Sequence, residues 1–145
     1  MIAIGCDHAG VEMKKAVIAA LSENGFEFKD MGTDGEPCDY PVMAKKVCDL
    51  VVSGECEKGI LICGTGIGMS MAANKVKGIR AALCADSFSA KYTRLHNDAN
   101  VMCMGARTLG VGLASELAEI FLTTDFEGGR HQRRVDLITD IENNN

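Results

Sequence analysis

The chain has 145 residues, 47% of them hydrophobic and 24% charged, with two prolines and a formal net charge of −5. That is the size and make-up of one soluble globular domain, residues 1–145, able to bury a core without disulfide or metal support. The acidic balance argues against nucleic acid and anionic membrane as partners, since both call for a basic surface. No run approaches the ~18 apolar residues that cross a bilayer, and no signal-like segment opens the chain, which predicts a cytoplasmic protein.

Seven cysteines (6, 38, 48, 56, 63, 84 and 103) are odd in number and form no CxxC pair. Neither a disulfide framework nor a zinc or redox motif fits them, so most read as reduced, small core residues.

In chain order, the apolar run from Met1 to Cys6 predicts a buried strand. A helix follows over Val11 to Asn24, stopped by Gly25. Phe26 to Met31 predicts the second strand. Beyond a loop rich in Gly, Asp and Pro, the stripe Val42, Met43, Val47, Leu50 and Val51 marks a helix with Pro41 in its first turn and Gly54 past its end. Gly59 to Cys63 predicts the third strand, followed by a glycine-rich turn and a short helix around Ser70 to Lys75. Ile79 to Cys84 then reads as the fourth strand and Ser87 to Leu95 as a helix. Val101 to Met104 makes the fifth strand, and Leu113, Ala114, Leu117, Ala118 and Phe121 share one helix face. Gly128 and Gly129 break the chain before a last helix that begins near Arg133.

Strands alternating with helices imply parallel pairing through right-handed crossovers, and near-continuous apolar strands imply helices on both sheet faces. The expected architecture is an α/β protein, a three-layer α/β/α sandwich around a five-stranded parallel sheet. Strand order is not readable from the pattern.

Ligands of open α/β sheets bind at the carboxyl ends of the strands. Asp7-His8 follows the first predicted strand, Cys63-Gly64-Thr65-Gly66-Ile67-Gly68 the third and Asp86 the fourth, while His96-Asn97 ends the helix before the fifth. Alternating Gly64, Gly66 and Gly68 let backbone N–H groups converge on an anion, and the following helix adds its positive end. A ligand-free strand-to-helix turn is the competing reading. A dinucleotide loop is a poorer one, because Met69 and Met71 stand where GxGxxG needs glycine and only Asp86 favours it.

A thiol at the mouth of such a loop has amides and a helix N-terminus to favour its anion, which singles out Cys63; by cysteine statistics alone it would be core, like Cys48 or Cys84. Thr65 places a hydroxyl beside the same point. Arg130, Arg133 and Arg134 crowd into five positions, with Arg130 and Arg134 on one face if helical, so two guanidinium forks can grip a phosphate. The alternative is a solvated basic turn balancing Asp136 and Asp140. His8 and His96 serve equally well as capping or surface residues when taken singly; their joint placement at predicted strand mouths favours a functional role.

With these pieces in place, the chain resembles the B-type ribose-5-phosphate isomerases, a family that includes allose-6-phosphate and galactose-6-phosphate isomerases. The resemblance is carried by IGCDHAG at 4–10, DYP at 39–41, GILICGTGIGMSMAANK at 59–75, IRAALC at 79–84, HNDAN at 96–100 and GGRHQRRV at 128–135. It implies a Rossmann-like fold, a homodimer or dimer of dimers with active sites lined by both protomers, and no cofactor or metal. It implies aldose–ketose isomerisation of a small phosphorylated sugar, ribose 5-phosphate to ribulose 5-phosphate in the pentose phosphate pathway, through a cis-enediolate.

The same resemblance assigns the base to Cys63, enediolate stabilisation to Thr65 and ring opening to His96. It assigns substrate contacts to Asp7, His8, Gly64, Thr65, Gly66, Ile67, Gly68, Asn97, Arg107, Arg130 and Arg134, with Tyr40 on the sugar wall. One branch of the family uses a glutamate further along the loop instead of the cysteine, but Gly68-Met69-Ser70-Met71 offers no carboxylate. A hexose-6-phosphate isomerase with a longer pocket, and a non-catalytic nucleotide- or phosphate-binding module with Cys63 in the core, are the competing functions.

Overall fold

In the computed structural model, which describes residues 1–145, strand and helix alternate almost throughout. The elements are β1 (Ile2–Cys6), α1 (Val11–Ser22), β2 (Phe28–Asp30), α2 (Tyr40–Val52), β3 (Lys58–Cys63), α3 (Ile67–Ala73), β4 (Ala81–Leu83), α4 (Ser87–Asn97), β5 (Val101–Gly105), α5 (Val111–Thr123) and α6 (Arg130–Asn143). The strands form one parallel sheet in the order β2-β1-β3-β5-β4. The expected three-layer α/β/α sandwich is what the chain builds.

Side chains alternate across a strand, so each central strand feeds two cores. Ile60 and Ile62 of β3 join Ile4, Val17, Met102, Met104, Leu117 and Phe121 on the face covered by α1 and α5. Leu61 and Cys63 join Ala3, Val47, Met69 and Cys103 on the face covered by α2 and α3. Both faces of β1 and β5 are buried along their whole length, which is why these strands read as unbroken apolar runs.

The order reverses between β1 and β3: α1 leaves β1 toward one face and α3 leaves β3 toward the other. The crevice opened by such a reversal is where doubly wound sheets bind ligands. Asp7-His8 and the glycine loop both stand at that crevice.

Several boundaries differ from the sequence reading. Helix α3 starts at Ile67 rather than near Ser70, because Gly66 turns the chain into the helix at φ +79°. Helix α6 starts at Arg130 rather than near Arg133, released by Gly129 at φ 55°. Helix α4 continues past Leu95 to Asn97 and ends at Asp98 in the left-handed region, φ 47°. The outer strands β2 and β4 are the short ones, three residues each, since an edge strand has one neighbour to hold it. No helix is long and apolar enough to cross a membrane.

Candidate active site

The first group of predicted residues gathers where β1, β3 and β5 end. The Asp7 amide donates to the Ile62 carbonyl at 3.1 Å, and the Asp7 carboxylate accepts from the Ala9 amide at 3.0 Å, fixing the turn that presents exposed His8. Gly10 closes this turn against β3; a Cβ there would lie 2.7 Å from Ile62 Cγ2.

Across the crevice, the Gly66 amide donates to Cys63 Sγ at 3.1 Å. Cys63 is 5% exposed, and its sulfur accepts this N–H rather than donating. The turn demands glycine at 66: at φ +79° a Cβ would stand 2.9 Å from Met104 C and 3.0 Å from its oxygen. Gly105 lies under Thr65, whose Cα would be 2.7 Å from any Cβ at 105. Exposed Thr65 accepts the Ile67 amide on its hydroxyl at 3.3 Å.

Arg107 joins this group from beyond β5. Its amide donates to the Gly64 carbonyl at 2.9 Å and its side chain lies along Gly64. Tyr40, at the start of α2, rests its ring on Gly68 so closely that no Cβ fits between them. Burial pushes other thiols up, Cys6 and Cys84 to about 11 and Cys48 to about 12, with Cys103 well above its ordinary value. Those cysteines are core, as their type suggests; Cys63 differs in receiving a backbone N–H.

The second group lies at the opposite edge. Helix α4 runs away from the carboxyl ends of the strands, and its last turn delivers His96 and Asn97 beside the beginnings of β4 and β5. His96 is therefore not at a strand mouth, as the sequence reading had it; one helix length carries it to the amino edge. A charged clamp holds this end. Arg80 Nε donates to the carbonyls of Asn97 (3.1 Å) and Asp98 (3.0 Å). Buried Arg94 donates to the Asp98 carboxylate (2.8 Å) and to the Ala99 and Thr124 carbonyls (2.7 and 3.0 Å).

Helix α6 crosses the same edge. The Glu127 amide donates to the Leu95 carbonyl at 3.1 Å before it, and the Glu142 carboxylate accepts the Gly78 amide near its far end. Arg130 and Arg134 share one exposed face of its first turns, the helical case foreseen from their spacing. Between them, buried His131 stacks on His96 with centroids 3.9 Å apart and planes 12° from parallel. Tyr92 meets His96 edge-on at 5.0 Å, and Phe88 stacks on Tyr92 at 4.2 Å.

Sequence reasoning gave His131 no role; its place inside the arginine motif, as one of three histidines, was the available signal. Burial pushes its pKa down, with His96 and Arg130 adding to the effect. His96, Glu127 and His131 have ligand-type atoms within 4.8 Å of one another. The two imidazoles lie in near-parallel planes, however, so their in-plane lone pairs do not converge on one ion.

One protomer thus brings together Asp7, His8, Cys63 to Gly68 and Arg107, and separately His96, Asn97, Arg130 and Arg134, but not the two groups. A cavity of about 740 Å³ belongs to the amino edge: it touches Arg80, Asn97, Ile138 and Ile141 and does not reach Cys63.

Comparison with known proteins gives the family. The sequence model of the Ribose/Galactose Isomerase family matches residues 2–138. YwlF of Bacillus subtilis (strain 168) is 54% identical over 146 residues, covering 99% of this chain and 98% of its own. The Escherichia coli (strain K12) ribose-5-phosphate isomerase B is 49% identical over 142 residues, covering 97% and 95%. The solved structure of Clostridium thermocellum ribose-5-phosphate isomerase B superposes with a TM-score of 0.96 at 48% identity, covering 99% of this chain and 97% of that one. A family match over nearly the whole chain, close relatives and a shared fold together make this chain a member of the ribose/galactose isomerase family, and an isomerase.

Proposed function

We propose that the protein interconverts ribose 5-phosphate and ribulose 5-phosphate, with Cys63 as the base. The single observation that carries this reading is the Gly66 amide donated to Cys63 Sγ at 3.1 Å, at the crevice where the strand order reverses. Its relatives named ribose-5-phosphate isomerase B support the pentose over the hexose.

Each active site is read as composite, in a homodimer or dimer of dimers. One protomer supplies Cys63, the loop Gly64 to Gly68, Asp7, His8 and Arg107; its partner supplies His96, Asn97, Arg130 and Arg134. The opposite placement of the two groups supports this division. So do the apolar side chains on the surface, Leu83 and Phe88 near the carboxyl edge and Leu137, Ile138 and Ile141 on α6, each more than 40% exposed. The chain acts as one unit, residues 1–145, in the cytoplasm, where its unpaired thiols stay reduced.

Arg130 and Arg134, with His8, hold the phosphate, leaving Arg107 and Asn97 for the sugar hydroxyls. His96 gives a proton to the furanose oxygen while the Asp7 carboxylate takes the C1 hydroxyl proton, and the ring opens to the aldehyde. Thiolate Cys63 then takes the proton from C2, and the C1=O electrons move onto oxygen as the C1=C2 bond forms. The loop amides and Thr65 donate to that oxygen. A proton passes from O2 to O1, and the Cys63 thiol returns its proton to C1, leaving the ketose. The place in metabolism that fits this chemistry is the pentose phosphate pathway.

The test is turnover of ribose 5-phosphate by the purified protein in chelator, beside a folded Cys63→Ala variant. Turnover that the substitution lowers by ~100-fold or more is expected, the scale of a lost general base. Unchanged turnover in Cys63→Ala would overturn the thiolate reading. Turnover of allose or galactose 6-phosphate in preference to ribose 5-phosphate would overturn the pentose assignment.

A further inference from the structure

We propose that His131 is a positioning residue for ring opening: its buried imidazole is the platform on which His96 stacks, fixing the plane of the ring that trades a proton with the furanose. This rests on the reading of His96 given above. It adds a residue that neither the glycine loop nor the arginine pair requires.

The geometry is specific. His96 is half-buried in the last turn of α4, where the Arg80–Asp98–Arg94 clamp fixes its backbone but not its side chain. Two contacts restrain the ring itself: the face of His131 at 3.9 Å and the edge of Tyr92 at 5.0 Å. Of the two, His131 is the one that cannot swing away, being 5% exposed at the start of α6. A face-on contact leaves both nitrogens of His96, which lie in the ring plane, free to reach a ligand. A hydrogen-bonding neighbour in the same place would engage one of them.

The platform must also stay uncharged, because two stacked imidazolium rings repel. His131 Nε2 is buried with no hydrogen-bond partner, and its neighbour Glu127 reaches only to 3.5 Å. Facing it are His96 from α4, Glu127 from the preceding loop, and Arg130 and Arg134 from its own helix. Burial first, then His96 and the arginines, holds the group below its ordinary range, while Glu127 opposes them. His96 can then take up and release its proton against a neutral face.

The two directions of the reaction separate a ring-opening role from general damage. Ribose 5-phosphate presents a furanose. In ribulose 5-phosphate the C5 oxygen carries the phosphate, so the C2 ketone has no hydroxyl with which to close a furanose, and that direction starts from the open chain. His131→Ala, His131→Phe and His96→Asn are assayed in both directions, with thermal unfolding to confirm that each is folded.

In His131→Ala, kcat from ribose 5-phosphate is expected to fall on the order of 10-fold to 100-fold, while kcat from ribulose 5-phosphate changes by less than about threefold. His131→Phe, which keeps a flat neutral face without the nitrogens, restores most of the loss. An equal fall in both directions, or failure of phenylalanine to restore what alanine loses, overturns the proposal. If His96→Asn keeps full turnover of ribose 5-phosphate, the underlying ring-opening reading fails by itself, whatever the His131 variants do.

Discussion

Mixing two inactive variants tests whether the active site is shared between protomers. Cys63 ends β3 level with Gly105, whereas the amino edge of β5 lies at Val101, four residues back and paired with Gly59. At ~3.3 Å per residue that is ~13 Å. Helix α4 covers a similar distance, since His96 follows Ser87 by nine residues at ~1.5 Å each. A catalytic base acts within about 2.6–3.2 Å of its proton. A five-carbon phosphate cannot meet both Cys63 and His96 of one chain across that gap. The assay mixes equal amounts of Cys63→Ala and His96→Asn protein, exchanges subunits by brief denaturation and refolding, and measures turnover of ribose 5-phosphate. Random pairing makes half the dimers mixed, and each mixed dimer has one site with both defects and one with neither, so about a quarter of wild-type activity should return. No recovery beyond that of the separate parents would refute the shared site, because a site contained in one protomer carries a defect in every combination.

Further outcomes follow from the local geometry. Gly66→Ala forces a left-handed residue to carry a Cβ against the Met104 backbone at 2.9 Å. A loss of about 2–3 kcal/mol in urea unfolding is expected, together with a fall in kcat as the amide turns away from Cys63. Lys14 is fully buried, donating to Asp30 and to the Thr33 carbonyl at 2.8 Å each. Lys14→Met should lower stability by about 1–3 kcal/mol, read as a fall in Tm, since it leaves the carbonyl of buried Thr33 without its donor and exposed Asp30 without its ion-pair partner. Alkaline unfolding should be steep. Burial holds Cys6, Cys48 and Cys84 as thiols to about 11, 12 and 11, whereas their ordinary value is 9.0. Above about pH 9 the unfolded chain therefore binds fewer protons than the folded one, so stability, complete below that pH, falls by about 1.4 kcal/mol per pH unit for each such thiol until its folded value is passed. Urea midpoints flat from pH 7.5 to 10.5 would contradict this.

The sequence by itself determined most of the elements and the half of the candidate site that is local in the chain. Apolar runs marked β1, β3 and β5 because these strands are buried on both faces, and the glycine loop was readable because Gly64, Gly66 and Gly68 alternate directly after Cys63, whereas the contacts that exclude a side chain at 66 and 68 come from Met104 and Tyr40, far away in sequence. Short α3 and the first turn of α6 were misplaced, since each starts at a left-handed glycine rather than at an apolar stripe. Tertiary structure alone decided the strand order, and with it the crevice between Asp7-His8 and Cys63. It alone decided that His96, Asn97, Arg130 and Arg134 face the other way, and that His131 lies against His96. The physical reason is range. Periodicity, caps and turns record what each residue does to neighbours a few positions away, whereas which end of the sheet a helix reaches, and what it meets there, depends on packing between segments far apart in sequence.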